Sequence, residues 1–266
     1  MTQPQPIGFF DSGVGGLSVW QEVVHRLPHE ATIYVADSAH CPYGSRPAAE
    51  IQALAAAITR FLLTQRCKLI VVACNTASAA ALDYLRAKFD LPIVGMEPAL
   101  KPAVEATKTG RIGVLATAGT LNGMLFKNTA QRHATQVELH VQVGEGLVEL
   151  VEAGQLNTAA AETLLRCYLE PMLTAQVDQI ALGCTHYPLL MPAIERIVAG
   201  RAQVIDPAPA VARQVQRLLL QHKLASGQGC VASHRFYTTG EPELLEQLLT
   251  QLYQQRPPVM KLDFVY

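Results

Sequence analysis

Residues 69–78 read LIVVACNTAS. Leu69 to Ala73 form an unbroken hydrophobic run, and such runs suit strands buried on both faces, as in parallel sheets. Cys74 closes the run, and Asn75-Thr76 lead into a new helical pattern. Residues 179–188, QIALGCTHYP, have the same design, and Cys184 follows Cys74 by 110 residues. Two further matches keep nearly that offset. Ile7-Gly8-Phe9-Phe10 resembles Ile112-Gly113-Val114-Leu115 at 105 residues, and Glu97-Pro98-Ala99 resembles Asp206-Pro207-Ala208 at 109. Three short matches in chain order predict two α/β units of similar design.

The rest of the chain alternates in the same way. Strand-like runs fall at Ile7–Phe10, Thr32–Ala36, Ile93–Met96, Ile112–Leu115, Val137–Val143, Ile180–Leu182 and Val204–Ile205. Between them lie helical patterns. Leu17, Trp20, Val23, Val24 and Leu27 share one face, and Ile51, Leu54, Ile58, Phe61 and Leu62 share another after Pro47, a residue suited to a helix start. Alternating β and α predicts an α/β fold: two similar parallel-sheet α/β domains related by pseudo-two-fold symmetry. Ligands in open α/β sheets sit beyond the carboxyl ends of the strands. Two units facing each other would therefore put equivalent loops on opposite sides of one cleft.

Composition limits the function classes. Apolar residues make up 50% of the 266 and charged residues 16%, enough apolar material for a sizeable core and too much for a disordered chain. The net charge is −1, so no basic excess attracts a phosphate backbone and no direct nucleic-acid partner is expected. No apolar run is long enough for a membrane span. The opening MTQPQPIGFFDSG has no basic segment followed by a long apolar one, which argues against a signal peptide and for the cytoplasm. Six cysteines without a CxxC pair suggest reduced thiols, mostly packing residues, and no structural zinc site.

Cys74 and Cys184 stand apart from the other four because they occupy matching strand ends. Free backbone N–H groups at a strand-to-helix junction favour a thiolate and bind a carboxylate. Two activatable thiols facing one cleft can take a proton from one face of a carbon and return it on the other. Asp11-Ser12-Gly13-Val14-Gly15-Gly16 is a glycine-rich turn after a strand, neither GxGxxG nor a P-loop. It reads either as a tight turn capped by Asp11 or Ser12, or as a carboxylate and a hydroxyl held over a ligand. Ala36 to Gly44 is a small, polar loop with Pro42 and Gly44, in which Cys41 has no assigned role. His186, two residues past Cys184, could hold or lend a proton. Glu152 sits in a helical pattern, where an exposed charge is the ordinary expectation.

Together, FDSGVGGLSV (10–19), ADSAHCPYG (36–44), ACNTAS (73–78) and GCTHYP (183–188) resemble the glutamate branch of the cofactor-independent aspartate/glutamate racemase family. They run in family order over most of the chain. The resemblance implies that Cys74 and Cys184 are the acid/base pair, with Cys184 serving L-glutamate and Cys74 serving D-glutamate. Asp11 would assist Cys74, and His186 and Glu152 would assist Cys184. Asp11, Ser12, Tyr43, Gly44, Asn75, Thr76, Thr185 and His186 would contact the substrate. The resemblance further implies a homodimer, no cofactor, no metal, and a supply of D-glutamate for peptidoglycan synthesis. Its domains would be residues 1–97 plus 208–266, and 98–207. None of the seven lysines lies in the four segments, and no strong sign of a pyridoxal site appears.

Other readings are weaker. A Cys-His hydrolase using Cys184 and His186 leaves Cys74 and the duplication unexplained. A two-lobed amino-acid binding protein explains a cleft but not the thiols. A protein that restrains a DNA enzyme, a side role within the family, gains no support from the neutral charge. A related racemase acting on aspartate remains the nearest alternative.

Overall fold

A computed structural model describes residues 5–227, 229, 231–253 and 256–263. Cys230, one of the six cysteines, lies outside them. The strands are β1 (Ile7–Asp11), β2 (Thr32–Ala36), β3 (Leu69–Val72), β4 (Ile93–Val94), β5 (Arg111–Ala116), β6 (Glu138–Val143), β7 (Gln179–Gly183), β8 (Gln203–Ile205), β9 (His234–Thr238) and β10 (Val259–Lys261). The helices are α1 (Leu17–Arg26), α2 (Ala48–Thr64), α3 (Asn75–Lys88), α4 (Leu100–Ala106), α5 (Ala118–Asn122), α6 (Met124–His133), α7 (Leu147–Glu152), α8 (Ala159–Thr174), α9 (Met191–Val198), α10 (Ala208–Gln221) and α11 (Pro242–Tyr253).

One sheet has the order β10-β9-β2-β1-β3-β4 and the other β6-β5-β7-β8. All pairings in both are parallel. The segment β2-β1-β3-β4 has the same order as β6-β5-β7-β8, so the sequence repeat is a repeat of topology. Every residue of β1, β2, β3 and β7 is buried, as their hydrophobic runs require. The strands β9 and β10 extend the first sheet at its β2 edge. Their sequences, HRFYT and VMK, carry no long apolar run, so sequence patterning misses them. β4 ends at Val94 rather than at Met96 because the Met96 N–H donates to the Ser78 hydroxyl (2.8 Å) instead of to a strand.

A continuous core joins the two units. Ile7, Phe9 and Trp20 of the first belong to the same buried cluster as Leu147, Leu165 and Ile180 of the second. Helix α10 packs on α1, and Arg26 Nε donates to Gln216 at 2.8 Å. Among the described residues no helix is long and apolar enough to cross a membrane.

Register sets the site. Phe10 pairs with Val72 and Asp11 with Ala36, so Asp11, Asp37 and Cys74 emerge at one carboxyl edge. In the second sheet Ala116 pairs with both Val143 and Gly183, which brings Thr117 and Cys184 to the equivalent edge. Both edges are topological switch points, where order reverses around β1 and around β5.

Candidate active site

The turn after β1 is shaped by what it touches. Asp11 is fully buried, and its Oδ1 accepts the Gly13 N–H at 2.7 Å. Helix α1 has Gly16 as its N-cap and no side-chain cap, so neither Asp11 nor Ser12 caps it. The glycines instead allow close approach to residues far along the chain. A Cβ on Gly13 would lie 1.9 Å from Glu152 Oε1, and one on Gly15 would lie 2.3 Å from His186 Nδ1. The Val14 N–H donates to that same Glu152 oxygen at 2.7 Å.

On the first wall, β3 gives way directly to α3, and Cys74 is its N-cap. The Ala77 N–H points at Cys74 Sγ (3.4 Å), and the Ser12 hydroxyl lies 3.8 Å from the same sulfur. Among the described residues Asp11 makes no hydrogen bond to Cys74 and acts on it through its charge. It meets Ser12 at 3.5 Å, and its second oxygen accepts from the Thr185 hydroxyl at 2.9 Å, so it ties one wall to the other.

The second wall differs. After β7 the chain enters a short 3-10 turn, Tyr187–Leu190, before α9 begins. The expectation of two like strand-to-helix junctions therefore holds at Cys74 and not at Cys184. His186 fills the gap. Its Nδ1 is 3.8 Å from Cys184 Sγ, and its Nε2 donates to Glu152 Oε1 at 2.6 Å. Glu152 is thus a half-buried partner of His186 and not the exposed charge that its helical pattern suggests.

Both thiols line one small cavity of about 20 Å³, together with Ser12, Tyr43, Gly44, Asn75, Thr76, Thr185 and His186. Of the residues predicted from sequence, Asp11 and Glu152 stand just behind this lining and hold it. The Tyr43 hydroxyl donates to Asp37. The Asn75 carboxamide is buried at the start of α3, and neither its nitrogen nor its oxygen has a hydrogen-bond partner among the described residues. Such a group calls for a polar ligand. Thr117 also lines the cavity, and its hydroxyl is 3.0 Å from that of Thr76. The sequence reading missed it. The repeat could have found it, because Thr117 follows Ser12 by the 105-residue offset.

The signature of the Asp/Glu/Hydantoin racemase family matches residues 12–215. The chain belongs to this family. It is 47% identical to a glutamate racemase of Ectopseudomonas mendocina over 97% of this chain and 99% of that one. Its structure is similar to that of a glutamate racemase from Bacillus anthracis, with a TM-score of 0.89 at 32% identity over 98% of both chains. It is also similar to Escherichia coli glutamate racemase in complex with L-glutamate and the activator UDP-MurNAc-ala. There the TM-score is 0.84 at 34% identity, over 94% of this chain and 96% of that one.

Within this racemase family member, burial dominates the electrostatics. It lifts the Asp11 carboxyl to about 6, against the pull of His186 and the hydrogen bonds from Gly13 and Thr185. Burial, and then the Asp11 charge, push the Cys74 thiol well above its ordinary value. For His186, burial works toward the neutral ring. Hydrogen bonds with Cys184, Cys41 and Glu152 override it, and His186 holds its proton well above the ordinary histidine range. Of the remaining cysteines, Cys67 is buried, with its thiol raised to about 12, as a packing residue should be. Cys167 is exposed on α8, so the packing expectation fails there. The buried face of that helix is carried by Leu165 and Leu169.

Proposed function

We propose that this chain interconverts L-glutamate and D-glutamate by a two-base mechanism that needs no cofactor. The observation that carries the reading is the placement of two buried thiols, at equivalent strand ends of a duplicated fold, on one small polar cavity. Cys184 removes the α-proton of L-glutamate, breaking C–H and forming S–H. Cys74, held as a neutral thiol by burial, breaks its own S–H and delivers a proton to the opposite face. The reverse reaction starts from the D-enantiomer with the roles exchanged. His186, oriented by Glu152, lends or takes a proton beside Cys184, while Asp11 and Ser12 set the surroundings of Cys74.

The substrate carboxylates need donors in a dry site, because an amino-acid α-proton is very weakly acidic. The unpartnered Asn75 carboxamide, the hydroxyls of Ser12, Thr76, Thr117 and Thr185, and the N-terminal end of α3 supply them. A cavity of about 20 Å³ holds roughly one water. Admission of glutamate therefore requires the walls to part, breaking the Thr76–Thr117 and Thr185–Asp11 hydrogen bonds, which reform around the substrate.

The proposed domains are residues 1–97 plus 208–266, and 98–207. The first includes β9, β10 and α10, in keeping with their place on the first sheet and on α1. The family resemblance supports a cytoplasmic homodimer that supplies D-glutamate to peptidoglycan synthesis. Circular dichroism of L-glutamate incubated with chelator-dialysed protein and no added cofactor tests the activity. The signal should decay to zero with glutamate and persist with L-aspartate. Decay with aspartate alone would replace glutamate by the alternative substrate, and activity only on adding pyridoxal phosphate would overturn the mechanism.

A further inference from the structure

The proposed reaction leaves Cys41 unused, yet its thiol stands beside the His186–Glu152 pair. Donor atoms of Cys41, Glu152 and His186 all lie within 4.8 Å of one another, although they come from three distant parts of the chain. Zinc bonds to sulfur, nitrogen and oxygen run about 2.0–2.3 Å, which places tetrahedral donors roughly 3–4 Å apart. Small side-chain movements would bring the three to that spacing. A thiolate, an imidazole and a carboxylate suit zinc, whereas magnesium and calcium prefer oxygen donors alone.

Access is the second observation. Cys41 and Glu152 form part of the wall of a cavity of about 290 Å³, distinct from the one between the two catalytic thiols. Exposed Glu149 also lines it and gives a cation an acidic approach, Glu241 on the same wall being paired with Lys261 at 2.6 Å, and the cavity leaves room for a water as fourth ligand.

We propose that Cys41, His186 and Glu152 bind one zinc ion and that this binding switches racemisation off. On binding, the Cys41 thiol proton and the proton on the His186 Nε2···Glu152 axis leave for solvent. The three metal bonds replace the His186–Glu152 hydrogen bond, and the metal-bound ring keeps a single N–H, on the Nδ1 that faces Cys184; giving up that proton would leave an imidazolate, so the ring no longer lends a proton to Cys184. The loss of activity rests on the role proposed for His186, whereas the binding does not.

The test titrates chelator-washed full-length protein with zinc by calorimetry, and with cobalt(II) by absorption, while racemisation is followed in parallel. One zinc per chain and a thiolate-to-cobalt band are expected. Cys41→Ser should weaken zinc binding at least about tenfold and remove the band. Each variant's own zinc-free rate is the reference for its inhibition, and zinc inhibition should weaken by the same factor as binding. Cys41→Val serves as the second variant should the serine form fail to fold. Cys167→Ser and Cys184→Ser should both keep the zinc. Unchanged zinc affinity in the Cys41 variants, or loss of binding in Cys184→Ser alone, would overturn the site. Zinc bound through Cys41 with racemisation unaffected would overturn the switch. A parent that binds zinc but never racemises glutamate would instead refute the proposed function and leave the site standing.

Discussion

The two halves of the duplicated fold share a strand order and a cysteine position but surround their thiols differently. Cys74 caps an α-helix, and its polar neighbours are a backbone N–H and the Ser12 hydroxyl. Cys184 precedes only a 3-10 turn and faces an imidazole backed by a carboxylate. In the proposed mechanism duplication supplies two equivalent stations for a proton, and the loops make them unequal. A racemase needs a thiol on one side whenever it has a thiolate on the other, and unequal surroundings let one resting form dominate. Burial of Cys74 makes the neutral thiol the resting form on its side.

The largest effect should come from removing either station. Cys74→Ala and Cys184→Ala should each lower racemisation by about 10³–10⁴-fold, the scale of a lost general acid or base. With threo-β-chloroglutamate, elimination needs a base on one face only. Each variant should therefore keep elimination with one enantiomer and lose it with the other, in opposite senses. Chloride release measured for both enantiomers checks this, and the same preference in both variants would break the comparison.

His186→Asn should act on one half. Racemisation should slow by roughly 10²–10³-fold, with elimination from the enantiomer served by Cys184 falling by the same factor and that served by Cys74 nearly intact. Equal losses on both faces would show that His186 supports the whole cavity and not one thiol.

Asp11 spans the halves and should show itself in stability. Its folded value of about 6 exceeds its ordinary 3.8, so between those values the folded chain binds the proton more tightly than the unfolded one. The stabilisation is fully present below about pH 4 and is lost as pH rises through 6. The difference between 3.8 and about 6 corresponds to roughly 3 kcal/mol. Urea unfolding at pH 4 and pH 7 should show Asp11→Asn losing less stability than the parent over that interval. An equal loss in both would remove the burial argument.

The smallest effect is expected at Thr117, the repeat partner of Ser12. Thr117→Val removes the hydrogen bond to Thr76 and, with it, the bonds to Thr120 that cap α5, a stability loss of about 1–3 kcal/mol. It should raise KM several-fold with little change in kcat, as measured by initial rates in both directions.

Particular residues show how far sequence reaches into this site. Nine of the eleven residues singled out from sequence line the cavity, and the other two bond directly to lining residues. The features that patterning missed share a character. Strand β9 lacks an apolar run, Thr117 sits in no recognisable segment, and Cys41 has no local sign of its neighbours. Glu152 looks like any surface glutamate in LVELVEAG, because the atom that gives it meaning is the His186 Nε2 of a different loop.

The parallel-sheet frame, its duplication and the two cysteines at matching strand ends are legible in the chain alone. Those properties are local: a hydrophobic run, a residue that closes it, and a spacing that repeats. Folding is needed to show that Glu152 bonds His186, that Gly13 and Gly15 leave room for that pair, that Asp11 bridges the walls, and that Cys41 stands beside them. Each of these depends on how the two units face each other. Hydrophobic periodicity records which side of a strand or helix turns inward, but not which side chain meets it across a cleft.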